Sequence, residues 1–309
     1  MNTALWIAVA LVCVVLPAVS LTRGGKRIPA REALEGYAAA AGLPLTDEVA
    51  GPVIDRIRRR ERGMVIGGVL AITLGGLAAV LIDGTGTEAG ALVFALAGAG
   101  TAFGGAWTMA THRPSPLSDT PVVARPRSAQ LSDYLTSGER FALAAMPAVL
   151  MIGAIAGALL LLRLPSQVRG AAITLGLLGT GLALVSWILA LLALRRVLAA
   201  PARSGSDLEL AWDDAERAIG LRQVANLVVG VGCFAIAFWL ILVAHRLTTT
   251  GFYREPGATP LTYALSLASL AIFSALIAVA AAGPMRSWLT GERKGYEQRR
   301  LWPHGVAVR

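Results

Sequence analysis

Seven apolar runs, each long enough to cross a bilayer, constrain this chain more than any other feature. They are Ala4–Leu21, Met64–Ile82, Gly90–Ala110, Phe141–Leu162, Ala171–Leu194, Val224–Ala244 and Leu261–Gly283. About 20 apolar residues at 1.5 Å rise span the hydrocarbon, and each run has close to that number or more. Only 15% of the residues are charged, against roughly 25% in a soluble domain. The runs lack the alternating pattern of membrane strands. The expected fold is all-α, a polytopic transmembrane helix bundle of about seven spans.

The basic residues predict the orientation. No charged side chain precedes the first run, whereas Arg23, Lys26 and Arg27 follow it. Basic residues collect on the cytoplasmic side, so the N-terminus is expected outside and the C-terminus in the cytoplasm. A cleaved signal peptide ending near Ala18-Val19-Ser20 is the alternative, but such peptides carry a positive n-region. With seven spans the inner segments hold 24 of the 28 Lys and Arg residues. The divisions are then a first transmembrane helix at 1–22 and a cytoplasmic amphipathic segment at 23–63. Transmembrane hairpins follow at 64–110, 141–194 and 224–283. A Pro/Arg linker at 111–140 and a cytoplasmic amphipathic helix at 195–223 separate them, and an interfacial tail at 284–309 ends the chain.

A Glu-Arg pair recurs at Glu61-Arg62, Glu139-Arg140, Glu216-Arg217 and Glu292-Arg293, with spacings of 78, 77 and 76 residues. The first three stand just before the first helix of a hairpin. One lone helix followed by three repeated hairpins would produce this pattern. At that depth an arginine can snorkel, with its stem in the acyl boundary and its guanidinium among phosphates. Arg62, Arg140 and Arg217 are therefore expected as membrane-interface anchors, and so is Trp288. Neighbours in sequence diverge by about 100° on a helix, so each Glu should not pair with its own Arg.

The cytoplasmic segments carry the remaining character. Thr46 is a candidate N-cap before Asp47 and Glu48. Val49, Val53, Ile54 and Ile57 then form a helical stripe that runs into the second span, beside Arg56, Arg58, Arg59, Arg60 and Arg62. In 207–223, Leu208, Ala211, Trp212, Ala215 and Ile219 share one face, while Asp213, Asp214 and Glu216 lie largely on the other. That acidic side is expected to be solvated. If the protein has a protein partner, Arg58, Arg59, Trp212, Asp213 and Asp214 are the candidate contacts. The linker HRPSPLSDTPVVARPRSAQ has no helical period and reads as extended.

Small residues mark helix contacts. Gly100 and Gly104, and Gly153 and Gly157, make GxxxG patterns. Ala264, Ala268, Ala271, Ala275, Ala278 and Ala282 recur along the last span. Close backbone approach is the first reading, and a homo-oligomer the second. No ionisable residue stands near the middle of a run, which disfavours a buried proton or ion path. The net charge of +9 comes without interleaved stacking aromatics, so the bilayer and its anionic headgroups, not nucleic acid, are the expected partners. Cys13 and Cys233 form no disulfide or zinc spacing. No HExxH, GxSxG or P-loop is present, so no catalytic, cofactor or metal site is expected.

The stretch DLELAWDDAERAIGLRQ, together with LSDYLTSGER and the Pro/Arg linker before it, resembles uncharacterised multi-pass membrane proteins of actinobacteria. Heavy Arg use with only two lysines points the same way, to a high-GC bacterial genome. The resemblance implies a location in the bacterial cytoplasmic membrane and no particular activity. The expected role is a non-catalytic scaffold or accessory subunit. The alternative is a permease or channel component for a neutral or lipidic solute.

Overall fold

A computed structural model of the chain describes residues 41–81, 129–162, 166–199, 206–249, 260–293 and 295–303, with scattered positions from 35 to 39 and from 93 to 111. The first expected span and most of the Pro/Arg linker lie outside the described residues. Every regular element among them is a helix. These are α1 (Asp47–Leu81), α2 (Leu131–Tyr134), α3 (Ser137–Leu161), α4 (Ser166–Ala199), α5 (Asp207–Thr249), α6 (Pro260–Leu289) and α7 (Tyr296–Leu301). The described positions between 93 and 111 are also helical.

Four described helices are long and apolar enough to cross a membrane, namely α3 and the greater parts of α4, α5 and α6. Here α3 and α5 pack against each other and against both α4 and α6. Accordingly α5 is the central helix, with 50% of its apolar window buried, and α6 is the most peripheral, with 17%. Two of the described helices, α5 and α1, are longer than a bilayer is thick. The 43 residues of α5 extend about 64 Å at 1.5 Å per residue, so its first four turns project beyond the apolar run that starts at Val224. Likewise α1 joins the predicted amphipathic stripe and the second apolar run in one 35-residue helix.

Trp239 organises the bundle core and is 1% exposed. A Cβ at Gly157 on α3 or at Gly176 on α4 would overlap its indole ring. The indole N–H donates to Thr180 Oγ1 at 2.9 Å, and that hydroxyl donates to the Gly176 carbonyl at 3.0 Å. The buried polar edge of the ring is thus satisfied within α4. Gly157 of the second GxxxG is therefore a ring socket. Gly153 is not, since a Cβ there would meet Ile236 only at 3.5 Å.

The first GxxxG does bring backbones together. Gly100 and Gly104 face Gly67 and Gly63 of α1, and a Cβ on any of the four would overlap the opposing backbone. The alanine stripe of the last span does not follow that pattern. Ala264, Ala268, Ala271, Ala275, Ala278 and Ala282 are all exposed, while α6 turns Ser269, Phe273 and Ala280 inward. The buried set lies on the opposite side of the helix wheel from the stripe. Phe273 fills volume against α3 and α5 that a methyl group would leave empty.

Candidate functional site

The polar residues of the described chain concentrate at one end of the bundle. There the starts of α3 and α5, the first half of α1 and the chain after α6 meet. The start of α3 is fixed by its own sequence. Thr136 N–H donates to Glu139 Oε2 at 2.9 Å and Glu139 N–H donates to Thr136 Oγ1 at 3.3 Å, a reciprocal capping box. This draws the Glu139 side chain inward to 0% exposure, with Oε1 2.6 Å from Arg293 Nε. The Arg293 guanidinium also donates to Asn226 Oδ1 at 2.9 Å.

Arg293 reaches this position because the chain reverses after α6. Gly291 and Gly295 adopt φ of 66° and 60°, a left-handed conformation that side chains disfavour. The following residues lie as a strap across the end of the bundle. Arg222 of α5 pairs with Glu297 at 2.7 Å. Tyr296 donates to the Ser132 carbonyl at 3.2 Å, and Arg300 approaches Asp133 at 3.7 Å. The strap ends at Trp302, whose indole N–H donates to Asp214 Oδ2 at 3.1 Å. Tyr134 donates to the other oxygen of Asp214 at 3.1 Å.

A second contact fastens α1 to α5. Val49 and Val53 of α1 pack on Leu208, Ala211, Trp212 and Ala215 of α5, joined by Ala38, Ala41, Leu43 and Trp302. Trp212 is fully buried and donates to the Pro44 carbonyl at 3.1 Å. The two predicted apolar stripes are thus each other's partner. Thr46 starts α1 with its carbonyl, which accepts from Ala50 N–H at 3.0 Å. Its hydroxyl, however, has no hydrogen-bond partner, so the expected side-chain cap is not made. Beside this core, Arg56 spans Glu216 at 3.3 Å and Asp213 at 3.7 Å, and Arg217 holds Asp213 at 2.9 Å.

Together these groups form a collar of buried acidic side chains, each facing donors of the chain itself. No protein family, curated protein or solved structure matches the chain. The collar must therefore be read from its own chemistry.

The expected solvated acidic face is a buried one. Asp214 is 2% exposed, and Asp213 and Glu216 are mostly covered. The reason is that α1 and the strap supply enough donors to compensate the carboxylates, which burial otherwise penalises. Trp212 and Asp214, named above as candidate contacts, are turned toward the chain's own residues. Arg59 is exposed and Arg58 half-buried. Among the expected anchors, Arg62 is exposed and Arg140 half-buried, both beside apolar runs. Arg217 differs, because Asp213 one turn earlier captures its guanidinium. Trp288 is 68% exposed at the end of α6. Within the described part of the expected interfacial tail, residues 295–303 fold inward through Tyr296 and Trp302.

Sequence reasoning missed Glu139, Arg293, Glu297 and Trp302 as a set. One signal was present, since T-S-G-E carries the capping-box spacing. The others come from distant segments and have no local signature. The Glu-Arg recurrence takes a new meaning. Glu139 is answered by Arg293 of the last pair, and Glu216 by Arg56, so these two glutamates join separate segments.

Glu216 faces Arg56 across the contact between α1 and α5. Burial pushes its carboxyl up to about 8. Arg56 opposes this and Asp213 reinforces it, with Arg60 a smaller opposing influence. The Arg56 guanidinium is shared with Asp213, and burial outweighs it. Glu216 lies two turns before the apolar run of α5. Between about 4.5 and 8 the folded protein holds a proton here that the unfolded chain releases, so stability must fall as pH rises through that window. Melting in detergent should therefore show a lower midpoint at pH 9 than at pH 6. Glu216→Gln should remove much of that slope and raise stability at pH 9, by an amount on the order of a few kcal/mol. An unchanged slope in the variant would refute the assignment.

Proposed function

We propose that the chain is a multi-pass protein of the bacterial cytoplasmic membrane that serves as a non-catalytic scaffold or accessory subunit. The collar carries this reading. Its ionisable groups are engaged with one another across four separate segments, which makes a rigid platform. Membrane insertion is supported by the four apolar helices and by their exposed surface, including Leu159, Leu192 and Leu267 at 58%, 52% and 66%. Water does not favour such continuous apolar belts.

The same geometry supports three hairpins, six of the seven spans, with their polar ends on one side; the first span rests on the apolar run Ala4–Leu21 alone. The starts of α3 and α5, the polar half of α1 and the chain after α6 share one end. That requires an even number of crossings between each, as three hairpins would provide. The basic inner segments favour the cytoplasm for that end. The actinobacterial resemblance fits this placement. The partner-contact surface then centres on the outward side of α1, at Arg58 and Arg59.

The test is a mild-detergent pull-down of the tagged protein from its native membrane, followed by mass spectrometry. A stoichiometric partner lost on Arg58→Glu/Arg59→Glu is expected. Solute movement by the purified protein alone in liposomes would overturn the scaffold reading in favour of a permease. A reporter fused after Arg309 should report the cytoplasm, and a periplasmic signal would defeat the seven-span topology.

A further inference from the structure

The end of α4 carries cations that the collar does not use. Arg196 stands in the last turn of α4, directly after the apolar run that closes at Leu194. Its guanidinium lies over the indole of Trp107, 5.3 Å from the ring centroid. Phe103 stacks on the same indole at 5.9 Å. Among the described residues no carboxylate pairs with Arg196 or with its exposed neighbour Arg195.

The surface running away from Arg196 is apolar. Leu178, Val185, Leu189 and Leu192 are each exposed by 39–52%. At 3.6 residues per turn they fall within about 40° of Arg196 on the helix wheel, along a track about 27 Å long. A cation at the head of an exposed apolar track, at headgroup depth, has the shape of a phospholipid. Stacking on Trp107 covers one face of the guanidinium and leaves its N–H edge open, which is the edge that grips a phosphate with two parallel bonds.

We propose that the end of α4 and the facing Trp107 form a binding site for an anionic phospholipid. Its phosphate is held by Arg196 and Arg195, and one acyl chain lies along Leu192, Leu189, Val185 and Leu178. Trp107 orients the Arg196 guanidinium. The site sits where α4 meets the helical positions between 93 and 111, so a bound lipid would brace that junction. The proposal rests on the membrane-spanning reading above. Free phosphate offers the same head chemistry, but it leaves the track without purpose.

The test uses the full chain, purified in mild detergent and depleted of lipid. Native mass spectrometry and melting are followed on addition of phosphatidylglycerol, phosphatidylcholine of the same chains, or inorganic phosphate. Selective retention of phosphatidylglycerol is expected, with a stabilising shift. Arg195→Gln/Arg196→Gln should weaken it by about fivefold per arginine removed. Arg196→Lys should keep part of the response, and Trp107→Leu should lower selectivity with both arginines in place. Each variant is compared with itself, with and without lipid, so a general loss of stability does not mimic the result. Where the double variant fails to fold, Arg195→Gln alone and Arg196→Lys decide.

Equal response to the two lipids would overturn the site while leaving the membrane reading intact. So would an unchanged response in the arginine variants, or full reproduction by inorganic phosphate. A chain that stays monodisperse in water without detergent would instead overturn the membrane reading itself.

Discussion

Glu139→Gln is expected to destabilise the protein by about 3 kcal/mol, although glutamine preserves the capping box that starts α3. Breaking a buried ion pair from one side typically costs about 3–5 kcal/mol, because the remaining charge is left uncompensated. The low end applies here. Asn226 still accepts from Arg293, and the Arg293 side chain is 20% exposed. Glu139→Ala should cost more, since it also strips the acceptor from Thr136 N–H. Removing both partners, as in Glu139→Gln/Arg293→Met, should cost less than the sum of the single changes by about 0.5–3 kcal/mol. Melting of the four proteins in the same detergent gives the cycle. Strict additivity would show that the 2.6 Å contact is not a stabilising pair and that the strap is held by its other bonds.

The residues show why some of this was legible and some was not. The spans announce themselves through composition, which is local. The runs beginning at Phe141, Ala171, Val224 and Leu261 became α3 to α6; the starts of α3, α4 and α5 shifted outward by a turn or more, while α6 starts at Pro260, next to its run. The stripes Val49/Val53/Ile57 and Leu208/Ala211/Trp212/Ala215 were visible by their period. Periodicity shows that a face is buried, but it does not name its partner. Here the partner was the other stripe, more than 150 residues away in the sequence.

Charge was read least well for a related reason. A run such as Asp213-Asp214 reads as solvated because burying an isolated carboxylate is costly. The cost falls only if donors arrive from elsewhere; Arg56, Tyr134 and Trp302 come from three other parts of the chain, and Arg217 adds to them from one turn along the same helix. The alanine stripe of α6 erred in the opposite direction. Small residues permit close approach without requiring it, and Phe273 offered the bundle more apolar area to bury.

That distinction matters most at Gly157, where a small residue is required and the consequence can be measured. A side chain there would enter the volume of the Trp239 ring, so Gly157→Ala should cost about 1–3 kcal/mol and Gly157→Leu more. Trp239→Ala should cost about 3–5 kcal/mol, as expected for emptying a buried aromatic site. The two changes should not add. In Gly157→Leu/Trp239→Ala the leucine occupies space that the indole vacated, and the pair should be more stable than the sum of its parts predicts. Thr180 then loses its indole donor but retains its bond to the Gly176 carbonyl, so no buried donor is stranded. The competing reading of the GxxxG, a face between two copies of the chain, predicts a different pattern. Gly157→Leu would then change the mass of the detergent-solubilised particle while leaving the melting temperature of the monomer nearly unchanged. The buried Trp239 places the effect inside one chain. The expected result is a large drop in melting temperature at unchanged mass, reversed in part by the second substitution.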